Sequence, residues 1–291
     1  MPLVLTVDVE DWPQSTLDTS LEITERARRN TEYLLDLLAR HRRPVTCFVL
    51  GKFADRFPEC VRRMAAEGHE VASHGYGHVD VFRQTQAEFR DDVRRSKAQL
   101  EALTGRPVAG YRAPDFSVVR ESLWALDVLA EEGFAYDASI NPATMARFAV
   151  TGWPAQPVRL ELASGRRLVE LPVATAQAFG RRWPVAGGGY HRLLPWPAIR
   201  GALARALARG ETFVAYCHPY EFDPGELAQL PYRIPLKTRL HQGLGRRGFE
   251  AKFRHILGEF NSTLAVTLAQ RERWPPYAPS RAAGLRSRAI R

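Results

Sequence analysis

Short apolar runs alternate with longer amphipathic segments along this sequence, and few folds accommodate that order. Residues 3–8 (LVLTVD) and 44–51 (PVTCFVLG) have the composition of buried strands, whereas residues 23–41 repeat apolar side chains at helical spacing. Strands that alternate with helices predict a parallel sheet with crossover helices. Roughly six or seven such units favour an α/β barrel over an open sheet, although the pattern leaves closure of the barrel undecided.

Two regions depart from this alternation. Residues 139–195 are rich in proline and contain the glycine run 187–189, so we expect an irregular insertion that covers one side of a functional site. After a barrel over residues 1–240, we predict a C-terminal helical extension over 241–275 and a flexible basic tail over 276–291.

Composition and charge narrow the class of protein. A hydrophobic content of 45% with 25% charged residues is ordinary for a soluble globular protein, and no apolar run is long enough to cross a bilayer. The first residues lack the features of a secretion signal, so we expect a bacterial protein of the cytoplasm or the inner membrane surface. The net charge of +9 favours anionic partners.

The stretch Glu70–Asp80 (EVASHGYGHVD) places His74 and His78 four residues apart after a predicted strand. On a helix this spacing would bring both imidazoles within reach of one metal ion. The two glycines between them disfavour a helix, so we expect the pair at a strand end and in the turn that follows. From spacing alone, two unrelated loop histidines are the alternative.

Other polar side chains also follow predicted strands. They are Asp8, Glu10 and Asp11 after the first strand, Arg112 and Asp137 in the middle of the chain, and His218 after the last clear strand. Barrels gather their chemistry at the carboxyl ends of the strands, and two histidines with one carboxylate typify a catalytic metal site. Taken singly, Asp11 could cap a helix, Arg112 could form a surface ion pair and His218 could be a core residue.

Five ordered segments carry a resemblance to a known family. They are TVDVEDW (6–12), PVTCFVLGKFADRFPECVRRMAAEGHEVASHGYGH (44–78), GYRAPDFS (110–117), GFAYDASI (133–140) and VAYCHPYEFD (214–223). Together they resemble the polysaccharide deacetylases of carbohydrate esterase family four, most of all the branch linked to bacterial exopolysaccharide and exosortase gene clusters. The resemblance implies a distorted, seven-stranded (β/α) barrel with one divalent metal, expected to be Zn2+, with Co2+, Fe2+ or Ni2+ as alternatives.

The resemblance also assigns roles to individual residues. Asp8 would be the catalytic base, Arg112 of the R-x-P motif with Pro114 would orient it, and His218 would be the general acid. His74 and His78 would bind the metal. The family's two adjacent aspartates are replaced here by Asp8, Val9 and Glu10, so the third metal ligand does not carry over from the pattern.

Strand geometry suggests which residue supplies that third ligand. Side chains at positions i and i+2 of a strand share a face, so Asp8 and Glu10 should both point into the barrel mouth. The extra methylene of Glu10 would let it reach the metal. We therefore predict Glu10 as the ligand, with Asp11 as the alternative.

Substrate contacts are expected around the same site. The backbone near Tyr76 could stabilise an oxyanion. Pro114 of the R-x-P motif is a second candidate for a substrate contact. Tyr190, with Trp153 and Trp183, could stack on a sugar, although packing of the insertion explains these aromatic residues equally well. Asp137 could orient His218.

The expected reaction is hydrolysis of the N-acetyl group of an amino sugar, with release of acetate. The substrate would be a glycan or a lipid-linked oligosaccharide, and a basic cytoplasmic chain favours an anionic lipid-linked precursor, met through peripheral membrane association; we expect no nucleic acid partner. A hydrolase of non-sugar or cyclic amides on the same barrel is one alternative. A glycan-binding relative without activity is another, which the complete set of base, ligands, arginine and acid disfavours.

Overall fold

The structure of the protein is a computed structural model that describes residues 2–144, 146–271 and 274–279. The strands within these residues are β1 Leu3–Val9, β2 Thr46–Val49, β3 Glu70–Ser73, β4 Gly110–Tyr111, β5 Tyr136–Asp137, β6 Val158–Glu161, β7 Arg167–Glu170, β8 Thr175–Ala178, β9 Arg181–Pro184, β10 Phe213–Cys217 and β11 Pro276–Tyr277.

Helices separate most of these strands. They are α1 Trp12–Thr16, α2 Glu25–His41, α3 Gly51–Arg56, α4 Pro58–Ala66, α5 Gln86–Thr104, α6 Trp124–Glu131, α7 Gly188–Leu193, α8 Trp196–Ala208, α9 Glu226–Gln229, α10 Leu236–Gly243, α11 Arg246–Glu259 and α12 Ala265–Ala269. Short 3-10 turns cover Val81–Arg83, Pro114–Phe116, Arg120–Ser122 and Pro219–Phe222. No helix among the described residues combines the length and the apolar character needed to cross a membrane.

Within the described residues, nine strands form one sheet in the order β10-β1-β2-β3-β4-β5-β7-β6-β11, and β8 and β9 form a separate two-stranded sheet. Each neighbouring pair from β10 to β7 is parallel, which gives seven parallel strands within the described residues. The N–H of Ala174, just after β7, donates to the carbonyl of Val214 in β10 at 3.0 Å. This bond joins the two ends of the parallel series, so the distorted α/β barrel expected from the sequence is confirmed.

Strand β1 shows how the two faces of the barrel wall differ. All seven of its residues are buried, and the odd positions Leu3 to Val9 belong to the large core between strands and helices. Val4 belongs to a second apolar cluster inside the barrel, and the side chains of Thr6 and Asp8, on the same face, continue this row towards the carboxyl end. The interior is therefore apolar at the bottom and polar at the top.

The stretch predicted as an irregular insertion is more regular than expected. It holds two antiparallel hairpins, β6–β7 and β8–β9. Strand β7 is moreover a full member of the barrel through its parallel pairing with β5. The prolines misled the sequence interpretation because they lie at the ends of these short strands and in their connections, where proline is tolerated.

The predicted C-terminal helical extension is packed into the barrel. Phe249 and Phe253 of α11 are buried in the main core. Helix α12 closes the amino-terminal end, where the Ala265 N–H donates to Thr46 Oγ1 at 2.9 Å and Leu268 joins the interior cluster. The domain boundary at residue 240 stays a prediction.

The basic tail predicted from residue 276 needs a correction at its start. Pro276 and Tyr277 form β11, which pairs with β6 and so extends the sheet by one strand. Residues 280–291, which make up the rest of the predicted tail, lie outside the described residues.

Truncation of Leu268 tests whether packing of α12 against the barrel interior stabilises the fold. This side chain is fully buried, so Leu268→Ala should lower the free energy of unfolding by about 2–5 kcal/mol in urea titrations. Leu240→Ala, at an exposed position, is the matched control and should change it by less than about 0.5 kcal/mol. Equal, small changes in the free energy of unfolding of both variants would show that α12 does not pack tightly against the barrel interior.

Candidate active site

Three side chains converge at the carboxyl end of the barrel. Glu10 follows β1, and His74 and His78 follow β3; all three are buried and their potential ligand atoms lie within 4.8 Å of one another. The His78 Nε2 lies 2.7 Å from Glu10 Oε2, and the His74 Nε2 lies 3.4 Å from the same oxygen. Among the described residues, these three form the group of histidine, cysteine or acidic side chains whose ligand atoms lie close enough together to hold one metal ion.

A tight turn, rather than a helix, brings the two histidines together. Gly75 adopts a left-handed conformation with φ of +73°, and His78 does so with φ of +63°. A side chain at Gly75 would also approach the Asp92 carboxylate, so glycine serves both the turn and the packing. The His74 Nδ1 bonds the carbonyl of Arg112 at 2.8 Å, which fixes the ring with Nε2 directed at Glu10.

The charges of this group stabilise one another. Burial opposes ionisation of Glu10, but the charge of His78 and hydrogen bonds from both histidines hold the pKa of its carboxyl group well below the ordinary value. Burial likewise acts against a charged His78, yet the Glu10 carboxylate raises its pKa to about 9. Without metal, the group therefore keeps a proton on His78 that a bound cation would displace.

Asp11 points away from this group. Its carboxylate accepts hydrogen bonds from the backbone N–H of Thr24 at 2.6 Å and from the Thr24 hydroxyl, beside the start of α2. Burial raises the pKa of Asp11 to about 6. The geometry thus places Glu10, and not Asp11, beside the two histidines.

Asp8 and Arg112 form a buried ion pair next to the three converging side chains. Arg112 Nη1 lies 2.7 Å from Asp8 Oδ1 and also donates to the Thr6 hydroxyl, while its Nε donates to the carbonyl of Ala138. The guanidinium lies 4.1 Å from the centroid of the Phe48 ring. Arg112 is fully buried, so it cannot be the surface residue that the sequence alone left open.

His218 lies beside Asp8 and Glu10 in the cavity wall. Its Nε2 is 4.0 Å from Asp8 Oδ2 and 3.8 Å from Glu10 Oε1. Its ring stacks on Tyr220 with centroids 4.6 Å apart and an interplanar angle of 9°. His218 is therefore part of the polar site and not a core residue surrounded by apolar side chains.

Sequence reasoning missed Glu221, which accompanies His218. Its carboxylate lies 3.6 Å from His218 Nδ1 and accepts the His218 backbone N–H at 3.1 Å. Burial would lower the pKa of His218, but interaction with Glu221 and the charges of Glu10 and Asp8 raise it overall. The available signal was the spacing H-P-Y-E, because a carboxylate three residues later on a 3-10 turn faces back to the histidine.

Glycine at position 188 is needed for this arrangement. A Cβ there would lie 1.6 Å from the Glu221 carboxylate, so α7 can pack against Glu221 only with glycine. Arg192 of α7 pairs with the same carboxylate at 3.0 Å. Part of the glycine run is thus explained by packing around the Glu221 carboxylate.

Asp137 does not orient His218, contrary to the sequence-based expectation. It accepts a hydrogen bond from Ser139 at 2.5 Å and lies beside Glu170, its partner in the β5–β7 register. Burial and the charge of Asp137 raise the pKa of Glu170 well above the ordinary value. The two carboxyl groups therefore interact with each other within the barrel wall.

A cavity of about 360 Å3 lies over the site. Its lining includes Asp8, Glu10, His74, His78, Asp115, Phe116, Arg147, Tyr190, Leu193, Tyr216, His218, Tyr220, His241 and Gln242. Tyr190 is in the position expected for a substrate contact. Pro114 is buried beneath this wall, and its neighbours Asp115 and Phe116, both with left-handed backbones, reach the cavity instead.

Tyr76 was expected to contact substrate, and the structure contradicts this. Its backbone N–H already donates to the Asp92 carboxylate at 2.7 Å, so it is not free to bind an oxyanion. Its hydroxyl donates to Asp55, and the guanidinium of Arg95 covers its ring at 3.4 Å. The side chain therefore belongs to a surface cluster outside the cavity lining.

The two tryptophans proposed for sugar stacking serve packing instead. Trp153 is buried and contacts Tyr277, with ring centroids 4.9 Å apart. The indole N–H of Trp183 donates to the carbonyl of Ala178 across the β8–β9 hairpin.

Comparison with known proteins agrees with the fold. Residues 4–133 match the polysaccharide deacetylase family, and residues 138–270 match a domain of unknown function, DUF3473. A chitooligosaccharide deacetylase of Bradyrhizobium sp. (strain ANU 289) is 37% identical over 122 residues, which make up 40% of this chain and 53% of that protein.

Two further proteins extend the comparison. A peptidoglycan-N-acetylglucosamine deacetylase of Bacillus cereus is 28% identical over 123 residues, 38% of this chain and 45% of that protein. This chain thus spans about half the length of these curated relatives. The solved structure of a Mycobacterium smegmatis protein assigned to the polysaccharide deacetylases shares the fold, with a TM-score of 0.64 and 23% identity over 92% of this chain and 88% of that one. These findings show that residues 4–133 belong to the polysaccharide deacetylase family.

Proposed function

We propose that the protein is a metal-dependent hydrolase that removes the N-acetyl group from an N-acetylated amino sugar and releases acetate. One observation carries the proposal: a buried Glu-His-His group, a carboxylate paired with arginine, and a histidine paired with glutamate all border one cavity. Family membership supports the reaction class, and the relatives are named for deacetylation of chitooligosaccharide and of peptidoglycan N-acetylglucosamine.

Glu10, His74 and His78 would hold the metal. The donor set fits a divalent cation because one carboxylate oxygen and two imidazole nitrogens are buried and mutually close. We infer Zn2+ from the nitrogen and oxygen donors, with Co2+, Fe2+ or Ni2+ as alternatives. When bound, such an ion polarises the amide carbonyl and lowers the pKa of a water molecule towards about 7.

Asp8 would act as the base. Its carboxylate reaches the cavity, and a charge-assisted hydrogen bond from Arg112 at 2.7 Å fixes its orientation. Proton transfer from the attacking water to Asp8 makes that water nucleophilic as it adds to the acetyl carbon. Arg112 is in turn held by Thr6 and Ala138, so the base has little freedom to rotate.

His218 would act as the acid. An amide nitrogen cannot leave as an anion, so a proton must reach it as the C–N bond breaks. Glu221 favours the imidazolium form of His218, and the stack on Tyr220 fixes the plane of the ring. Acetate and the free amine of the sugar are the products.

The substrate is proposed to be an amino sugar in a glycan or in a lipid-linked oligosaccharide. Tyr190 is partly exposed in the cavity wall and offers a ring face for a sugar. The net charge of +9 supports an anionic, lipid-linked substrate met at the cytoplasmic face of the inner membrane. The exopolysaccharide-linked branch, like the alternatives of a cyclic amide substrate or a glycan-binding role without catalysis, stays a prediction.

Metal content and activity should depend on the same residues. Glu10→Ala should lower bound metal per chain more than about tenfold, because it removes one of three ligands. Asp11→Asn, the matched control, should retain it, because Asp11 bonds Thr24 instead. Metal content is measured by atomic emission, and activity by acetate release from N-acetylated oligosaccharides.

Dialysis against a strong chelator should abolish acetate release, and Zn2+ or Co2+ should restore it. Full activity in a verified metal-free preparation would disprove metal dependence. Loss of metal in Asp11→Asn with retention in Glu10→Ala would reassign the third ligand to Asp11.

Replacement of His218 separates the acid from the metal ligands. His218→Ala should lower kcat by about 10² to 10⁴, the usual contribution of a positioned acid, while metal content stays at the wild-type level. A variant that loses its metal would show that His218 is a ligand and contradict its role as acid.

A further inference from the structure

Four leucine side chains are more than half exposed, at 54–70% of their surface, and they are the only leucines so exposed in the described parts of the chain. They are Leu193 at the end of α7, Leu236 and Leu240 on α10, and Leu244 directly after α10. All eight residues of α10 are at least partly exposed to solvent. A surface helix normally turns its apolar stripe to the core, so this outward stripe needs another explanation.

The three leucines of the α10 segment share one face. Leu236, Leu240 and Leu244 follow one another at intervals of four residues, and side chains at this spacing align along a helix. Helix α10 also adjoins the active site, because His241 and Gln242 line its cavity together with Leu193. We call the face formed by these four leucines the leucine face.

Hydrogen bonds fix the leucine face to the rim of the cavity. The guanidinium of Arg192 donates to the carbonyl groups of Gln242 and Leu244. Lys252 of α11 donates to the carbonyl of Leu194 at 2.8 Å, just beyond α7. The leucine face is therefore held in a constant position relative to the site.

The exposed charged side chains in the sequence around α10 have one sign. Residues 227–249 contain five lysine and arginine residues and no aspartate or glutamate, and one of the five, Arg246, is buried and pairs with Glu226. Arg233, Lys237 and Arg247 among them are exposed. Leucines surrounded by cations are typical of segments that lie in the interface of an anionic bilayer. Two copies of this face would bring cations against cations, which disfavours a symmetric dimer through it.

We propose that the leucine face binds the surface of a membrane that carries anionic phospholipid. The leucines enter the headgroup boundary, and the surrounding cations contact the lipid phosphates. The mouth of the active-site cavity is then held at the level of the headgroups. Binding itself is independent of the catalytic role, whereas delivery of an amino sugar on a lipid carrier rests on the proposed function.

Binding of the full chain to vesicles tests the proposal. In flotation assays the protein should bind vesicles made of phosphatidylcholine with about 30% phosphatidylglycerol. It should bind vesicles of pure phosphatidylcholine at least about tenfold more weakly. Binding to the anionic vesicles should weaken as salt is raised. Equal binding to both kinds of vesicle, or to neither, would overturn the proposal.

A triple variant locates the binding surface. Leu236→Ser, Leu240→Ser and Leu244→Ser together should lower the affinity for anionic vesicles at least about tenfold. Phe179→Ser is the control, because Phe179 is 96% exposed at the tip of the β8–β9 hairpin and lies outside the leucine face. Equal losses in both variants would show that binding does not depend on the leucine face.

Two further measurements separate this proposal from its competitors. The triple variant should keep the wild-type melting temperature and the wild-type acetate release from a soluble oligosaccharide, because none of the three leucines lines the cavity. If the wild type hydrolyses neither soluble nor lipid-linked N-acetylated amino sugars while vesicle binding depends on the leucines, the proposed function fails and the membrane surface stands. Leucine-dependent dimers in sedimentation, without vesicle binding, would instead identify a second copy of the chain as the occupant.

Discussion

The burial of the Arg112 guanidinium inside the barrel is the constraint on which the upper half of the structure depends. A buried cation is costly unless it is paired and its hydrogen bonds are satisfied. Its partners come from different strands: Thr6 and Asp8 from β1, and the Ala138 carbonyl from the chain just after β5. The Phe48 ring of β2 packs against it. Because these contacts form together only in one register, the ion pair with Asp8 also fixes the strands around it.

The same neighbourhood shows how far the sequence could predict the site. The rule that barrel chemistry gathers at strand ends located Asp8, His74 and His218, and the alternation of side chains along a strand separated Glu10 from Asp11. Both rules are local, since they need only the end of a strand and its two faces. The barrel itself followed from the order of strands and helices, although its closure needed the observed bond between Ala174 and Val214.

The errors have a common physical cause. The end of a strand indicates how far along the barrel axis a side chain lies, but not which neighbouring strand it faces. Asp137 was therefore expected to orient His218, although it lies beside Glu170. The backbone of Tyr76 was considered available because its partner, Asp92, lies on α5 and cannot be found from the turn itself. Glu221 was missed because a 3-10 turn after β10 was not predicted. The metal's identity and the exact sugar are not encoded in any of these local patterns.

The position of β1 in the sheet has a consequence for biosynthesis. Strand β1 lies between β2 and β10, and its Leu3 pairs with Phe213, which is translated much later. Until β10 has been translated, one edge of β1 has no partner strand, and an open apolar edge can pair with other nascent chains. The amino-terminal end of the barrel is closed later still, because α12 is synthesised after β10. The barrel can therefore close only after β10 has been made, and the open edge of β1 needs protection from other chains until then.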